Sequence, residues 1–130
     1  MAVNYVLVQK GNPSDPKAPK KFYAQAKASG VLTLKRLSRE IAEGSTTVSD
    51  TDVLAVLNDL TKALRRHLEN GEIVRFGDFG TFQIAISSTG TEAEAKFHPS
   101  LIRTQKVAFR PGVDLKETLA TLKYAKVSRD

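Results

Sequence analysis

Arg75, Arg103, Lys106 and Arg110 fall on stretches that read as opposing β-strands. Lys116 begins the final helical pattern, and Lys35 and Arg36 begin the first. The chemistry open to such residues is the neutralisation of phosphates. Contacts of that kind are spread over many weak charges and carry no sequence information of their own. The competing reading for each is a solvated surface charge. Lys123 and Lys126, near the end of the last helical pattern, also suit a helix dipole without any ligand. Arg65 and Arg66 have acids at Asp59 and Glu69 with which to pair.

Other chemistry finds few residues. Histidine occurs twice, at His67 in a helical stretch and at His98 beside a proline, and neither has a partner at metal-ligand spacing. Cysteine is absent, which removes thiol nucleophiles, thiolate metal sites and disulfides. No Gly-x-Ser-x-Gly or phosphate-loop pattern occurs. Asp50, Asp52 and Asp59 read as capping and surface acids of a helix. The expectation is therefore no enzyme, no cofactor, no metal and no small-molecule substrate. Apolar runs are too short to span a membrane, and the first residues show no basic segment followed by an apolar one. A cytoplasmic location with no membrane partner is expected.

The elements that must position the cations follow from periodicity. Val3 to Val8 reads as a strand, residues 11–20 as a proline-rich loop, and Phe22 to Ala28 as a second strand by alternation. Thr33 can cap a first helix carrying Leu34, Leu37 and Ile41, which stops near Gly44. A polar turn covers residues 45–47. Ser49 to Asp52 starts a second helix, in which Val53, Leu57, Leu60, Leu64 and Leu68 form one apolar stripe, broadened by Leu54 and Val56. A stripe this wide asks for a partner subunit as well as an intramolecular neighbour. Gly71 ends the helix. Strands are expected at 73–76, 81–86 and 101–109, with a tight turn at 77–80. Asp114 to Glu117 resembles a capping box, and Leu115, Leu119 and Leu122 supply the buried face of a last helix. The fold class is α+β, with an antiparallel sheet and helices on one side.

At 130 residues, 41% hydrophobic and 26% charged, the chain is expected to form an ordinary globular protein. Its charge is uneven. Residues 1–30 carry +4, residues 31–74 carry −1 and residues 75–130 carry +3. The organisation expected is a strand–loop–strand extension over 1–30 packed on a main domain over 31–130.

Four segments in order carry a family resemblance: Ile41-Ala42-Glu43, then Leu68-Glu69-Asn70-Gly71-Glu72-Ile73-Val74, then Gly80-Thr81-Phe82, then Phe109-Arg110-Pro111-Gly112 with Leu115-Lys116. From Thr33 to Ala125 the chain resembles the bacterial histone-like HU and integration host factor family of DNA-bending proteins. The first thirty residues resemble the added strand pair of a divergent HU-like branch. The resemblance implies two helices, an antiparallel sheet with an arm and a C-terminal helix, assembled as a homodimer on double-stranded DNA in the nucleoid. It also implies that Arg110 and Lys116 occupy basic positions of the family, whereas Val113 stands where Lys is common.

The family's arm tip normally reads Arg-Asn-Pro-x-Thr-Gly, and its proline kinks DNA from the minor groove. Here the corresponding residues 87–96 hold Glu92, Glu94 and Lys96, two acids and one base. Pro99 lies past the expected tip and reads as an edge-strand proline. The path of residues 87–108 and the bending of DNA are left open. DNA contact is then expected from the body, through Arg75, Arg103, Lys106, Arg110, Lys116, Lys35 and Arg36. Lys17, Lys20 and Lys21 offer a basic finger in place of the arm. Two other functions stay open: an HU-like dimeric interaction or structural module, and single-strand or RNA binding by stacking on Tyr5, Phe22 or Tyr23.

Overall fold

The computed structural model describes residues 1–45 and 47–129. Thr46, in the expected turn at 45–47, lies outside the described residues. The fold is α+β, with three helices and two three-stranded sheets, and strands come first in the chain.

Helix α1 spans Leu34–Ser45 and α2 spans Asp50–Glu69. Ser49 caps α2: its side-chain oxygen accepts from the Asp52 amide at 3.2 Å. Asp50 and Asp52 occupy the positive end of the helix dipole, and Arg66 and His67 the negative end. The helix closes in a Schellman motif. Gly71, at φ 77°, donates to the Leu68 carbonyl at 3.0 Å, and Glu72 donates to that of His67 at 3.1 Å. Helices α1 and α2 pack together. Ser38, 2% exposed, sits among the buried residues with its hydroxyl donating to the Lys35 carbonyl at 2.6 Å.

Strands β3 (Val74–Phe76), β4 (Gly80–Ser88) and β5 (Ile102–Pro111) form an antiparallel sheet in the order β3-β4-β5. The glycines around the β3–β4 turn make one joint with the end of β5. The Gly112 amide donates to the Phe79 carbonyl at 2.8 Å, and the Asp114 amide to that of Asp78 at 3.2 Å. A Cβ on Gly112 would lie 2.2 Å from the Asp78 oxygen, and one on Gly80 would lie 2.4 Å from the Phe109 ring. The two sequence motifs at 77–82 and 109–112 are therefore halves of a single packed corner. Phe76, Phe79, Phe82 and Phe109 stack across it, with centroids 4.9–6.0 Å apart.

The second sheet has the order β2-β1-β6, from β1 (Val3–Lys10), β2 (Lys21–Ala26) and β6 (Tyr124–Lys126). β1 and β2 are an antiparallel hairpin, and β6 runs parallel to β1. The Val3 amide donates to the Lys123 carbonyl, and the Val127 amide to that of Tyr5.

Here the structure departs from the expectation of an all-antiparallel sheet and a long last helix. Helix α3 covers only Val113–Ala120, so Leu122 is outside it and Leu119 is exposed. The chain beyond it forms β6, a ladder fixed by contacts more than a hundred residues away in sequence. Asp114 lies inside α3 rather than capping it, its amide already engaged by Asp78.

The chain divides into two units. One holds Met1–Thr33 and the chain from Leu119 onward; the other holds Leu34–Thr118. The first unit thus gains a C-terminal strand that the expected 1–30 extension lacked.

Candidate nucleic-acid interface

Alternation along β3, β4 and β5 sorts the central sheet into two faces. Arg75, Thr81 and Arg110 lie opposite one another on adjacent strands, and so share one face. Further along that face come Gln83 with Ala108, Ala85 with Lys106, and Ser87 with Thr104, whose hydroxyls hydrogen-bond to each other. Lys106 is four residues from Arg110, roughly 13 Å along the strand. Arg75, Thr81, Gln83 and Arg110 border an open concavity of about 560 Å³. This face presents three cations and several hydroxyl and amide groups, with no acid among its paired positions. Its side chains can neutralise and hydrogen-bond phosphate oxygens.

The other face is apolar. Val74, Phe82 and Phe109 share a rung, followed by Ile84 with Val107 and Ile86 with Gln105. Much of it is open: Val107 is 56% exposed and Ile86 60%. Among the described residues Val53 is the only hydrophobic side chain classed as buried, while Val56 on α2 is 66% exposed.

The remaining candidates lie elsewhere. Arg103 sits at the β-bulge where the pairing shifts between Ser87 and Ser88, and is skipped by the ladder. Its Nε donates to the Thr89 hydroxyl at 2.9 Å. By position it therefore does not continue the row of Arg75, Arg110 and Lys106. Lys116 is exposed in the first turn of α3. Lys35 and Arg36 are exposed in the first turn of α1.

The segment joining β4 to β5 is a folded tip. The Thr89 amide donates to the Leu101 carbonyl at 2.9 Å, closing it at the base. Two 3₁₀ turns follow, Glu94–Lys96 and Pro99–Leu101. Pro99 opens the second turn, so it is not an edge-strand residue; His98 caps that turn through Nδ1, which accepts from the Ser100 amide. Glu92, Glu94 and Lys96 are all exposed. His67 pairs with Glu72 at the end of α2. Among the described residues no helix is long and apolar enough to cross a membrane.

The chain matches, over residues 1–126, the family described as "HU domain fused to wHTH, Ig, or Glycine-rich motif". No curated protein matches it in sequence. Solved structures that share its fold include the following two. One is a putative DNA-binding protein from Bacteroides vulgatus, 13% identical with a TM-score of 0.66, covering 97% of this chain. This chain spans 48% of that protein's length. The other is Anabaena HU crystallised with DNA, 19% identical with a TM-score of 0.54, covering 69% of this chain and 99% of its own.

Proposed function

Because the chain belongs to this family of HU domains, we propose that it binds double-stranded DNA without sequence preference, as a homodimer acting in the nucleoid of the cytoplasm. The observation that carries this reading is the sorted central sheet. Arg75, Arg110 and Lys106 share one face, and a largely apolar surface, interrupted by Gln105, occupies the other. A cationic face with hydroxyl and amide neighbours suits phosphate backbone contact, which fixes position without reading bases. Lys116, Lys35, Arg36 and Arg103 add charge on other elements. The Anabaena HU structure, solved with DNA, supports the assignment by fold.

The homodimer is supported by exposed area. The chain exposes 11061 Å², against about 6,800 Å² for a folded monomer of its mass. The excess of roughly 4,000 Å² leaves ample area for an interface that buries about 800 Å² or more of each partner. A second copy supplies an apolar face of the same chemistry, which is what Val56, Ile86, Val107 and the stripe on α2 lack within one chain.

The tip at 89–101 favours a second reading, an HU-like dimeric interaction module. Its exposed Glu92 and Glu94 oppose entry into a negative minor groove. Titrating a long duplex at several salt concentrations separates the two. Duplex binding gives a linear fall of log affinity with log salt, with a slope of about −0.9 per neutralised phosphate. Arg75→Gln with Arg110→Gln lowers that slope by about 2. Absence of binding at low salt leaves the interaction module.

A further inference from the structure

The protein's charge is divided unequally between its two units. Residues 34–118 hold twelve basic and twelve acidic side chains and net to zero. Residues 1–33 and 119–130 hold eight basic and two acidic ones, and so carry the whole +6. The unit with the HU-like helices and arm is electrically neutral, and the small β-sheet unit is the cationic one. Long-range attraction to a polyanion therefore acts on the sheet unit first.

Within that unit four of the eight cations lie at the loop end of the β1–β2 hairpin. We propose that Lys10, Lys17, Lys20 and Lys21 form a phosphate-binding finger for duplex DNA, an assignment that rests on the duplex-binding reading above. Lys10 and Lys21 are direct cross-strand partners. Like charges in that position are destabilising, and an anion between them removes the repulsion. Lys20 runs alongside Gly11, where a Cβ would stand 3.8 Å from its Cγ. Lys10, Lys21 and Tyr23 line a concavity of about 430 Å³ with Pro13 and Pro19. Among the described residues no acidic side chain is ion-paired with any of the four lysines.

The loop between the strands is held in shape rather than left slack. The Asn12 side-chain oxygen accepts from the Ser14 amide at 2.9 Å, and the Asp15 amide donates to the Asn12 carbonyl at 3.1 Å. Asp15, the one acid there, uses its carboxylate inside the turn, accepting from the Lys17 amide at 3.1 Å. Residues 10–21 thus present four ammonium groups on a turn preset by three prolines. The ligand chemistry is a row of phosphate diesters, for which lysine acts as a point charge.

The test compares the intact chain with a variant carrying Lys10→Gln, Lys17→Gln, Lys20→Gln and Lys21→Gln. A parallel variant replaces the same four by Arg. Fluorescence anisotropy with a long duplex over a range of salt gives the slope of log affinity against log salt. The glutamine variant is expected to lose about 3 to 4 from that slope, and the arginine variant to keep it. Matching far-UV circular dichroism of both variants establishes that the sheet is intact. Lys21, on the edge strand β2, also discourages sheet-to-sheet pairing; if such protection is the whole role of the lysines, the glutamine variant aggregates but its slope equals that of the intact chain. An unchanged slope overturns the finger while duplex binding stands. An intact chain that binds no duplex overturns duplex binding and the finger together.

Discussion

Gly112 and Gly80 show how a residue's type can be dictated by a neighbour far away in sequence. Each leaves room for backbone or ring atoms that a single methyl group would strike, the Asp78 oxygen at 2.2 Å and the Phe109 ring at 2.4 Å. Gly112→Ala should therefore cost about 1–3 kcal/mol of stability, the usual penalty of overpacking. Gly90→Ala, with nothing within 4 Å of its Cβ position, should stay within about 0.5 kcal/mol of the parent. Urea unfolding of the two variants checks the contrast; equal midpoints would show the corner to be looser than described. Arg103 teaches the opposite lesson. Alternation already sets it off the face of Lys106 and Arg110, an odd number of residues away, and the bulge takes it out of the ladder, with its Nε donating to the Thr89 hydroxyl.

Among the elements, α2 carries the most information, because both its ends are marked by local chemistry. Ser49 caps the start, and Asn70-Gly71 allows the left-handed turn that closes the Schellman motif. An N-cap of this kind contributes about 1 kcal/mol. Its stripe of Leu57, Leu60, Leu64 and Leu68 is half-buried in one chain and incomplete there. Leu64→Asp puts a charge on that stripe, where burial without a partner is expensive. The expected outcome is loss of cooperative folding, read as the absence of a sigmoidal thermal transition at 222 nm, a wavelength that reports helix (~222 nm). A folded monomer of ordinary stability would refute the second-copy interface. The last helix is the element that periodicity misjudges. Leu115, Leu119 and Leu122 keep helical spacing, but α3 stops at Ala120 because the following residues gain more from pairing with β1. That competition is between a local propensity and a non-local ladder, and only the second is invisible along the chain.

For the whole molecule, the exposed apolar surface bears on association. A chain with this much open apolar surface gains stability by association, so its thermal midpoint should rise with protein concentration. Sedimentation equilibrium should give twice the chain mass of 14.2 kDa. A concentration-independent midpoint with the mass of one chain would end the homodimer reading.

The order of elements from β1 to the start of α3 and the caps of α2 were determined by sequence, because each rests on short-range rules: φ > 0 at Gly71, a side-chain acceptor at Ser49, alternation in the strands; the family was legible in four motif segments in order. So was the mixed sign of the arm tip, which composition alone declares. Which cations share a surface was decided by the tertiary structure. Register places Arg75 opposite Thr81 and Thr81 opposite Arg110. Register likewise sets Lys10 against Lys21, and the parallel pairing of β6 brings the C-terminal lysines into the N-terminal unit. Those outcomes depend on which residues face each other across strands, a relation set by hydrogen bonds between distant segments that no local pattern encodes.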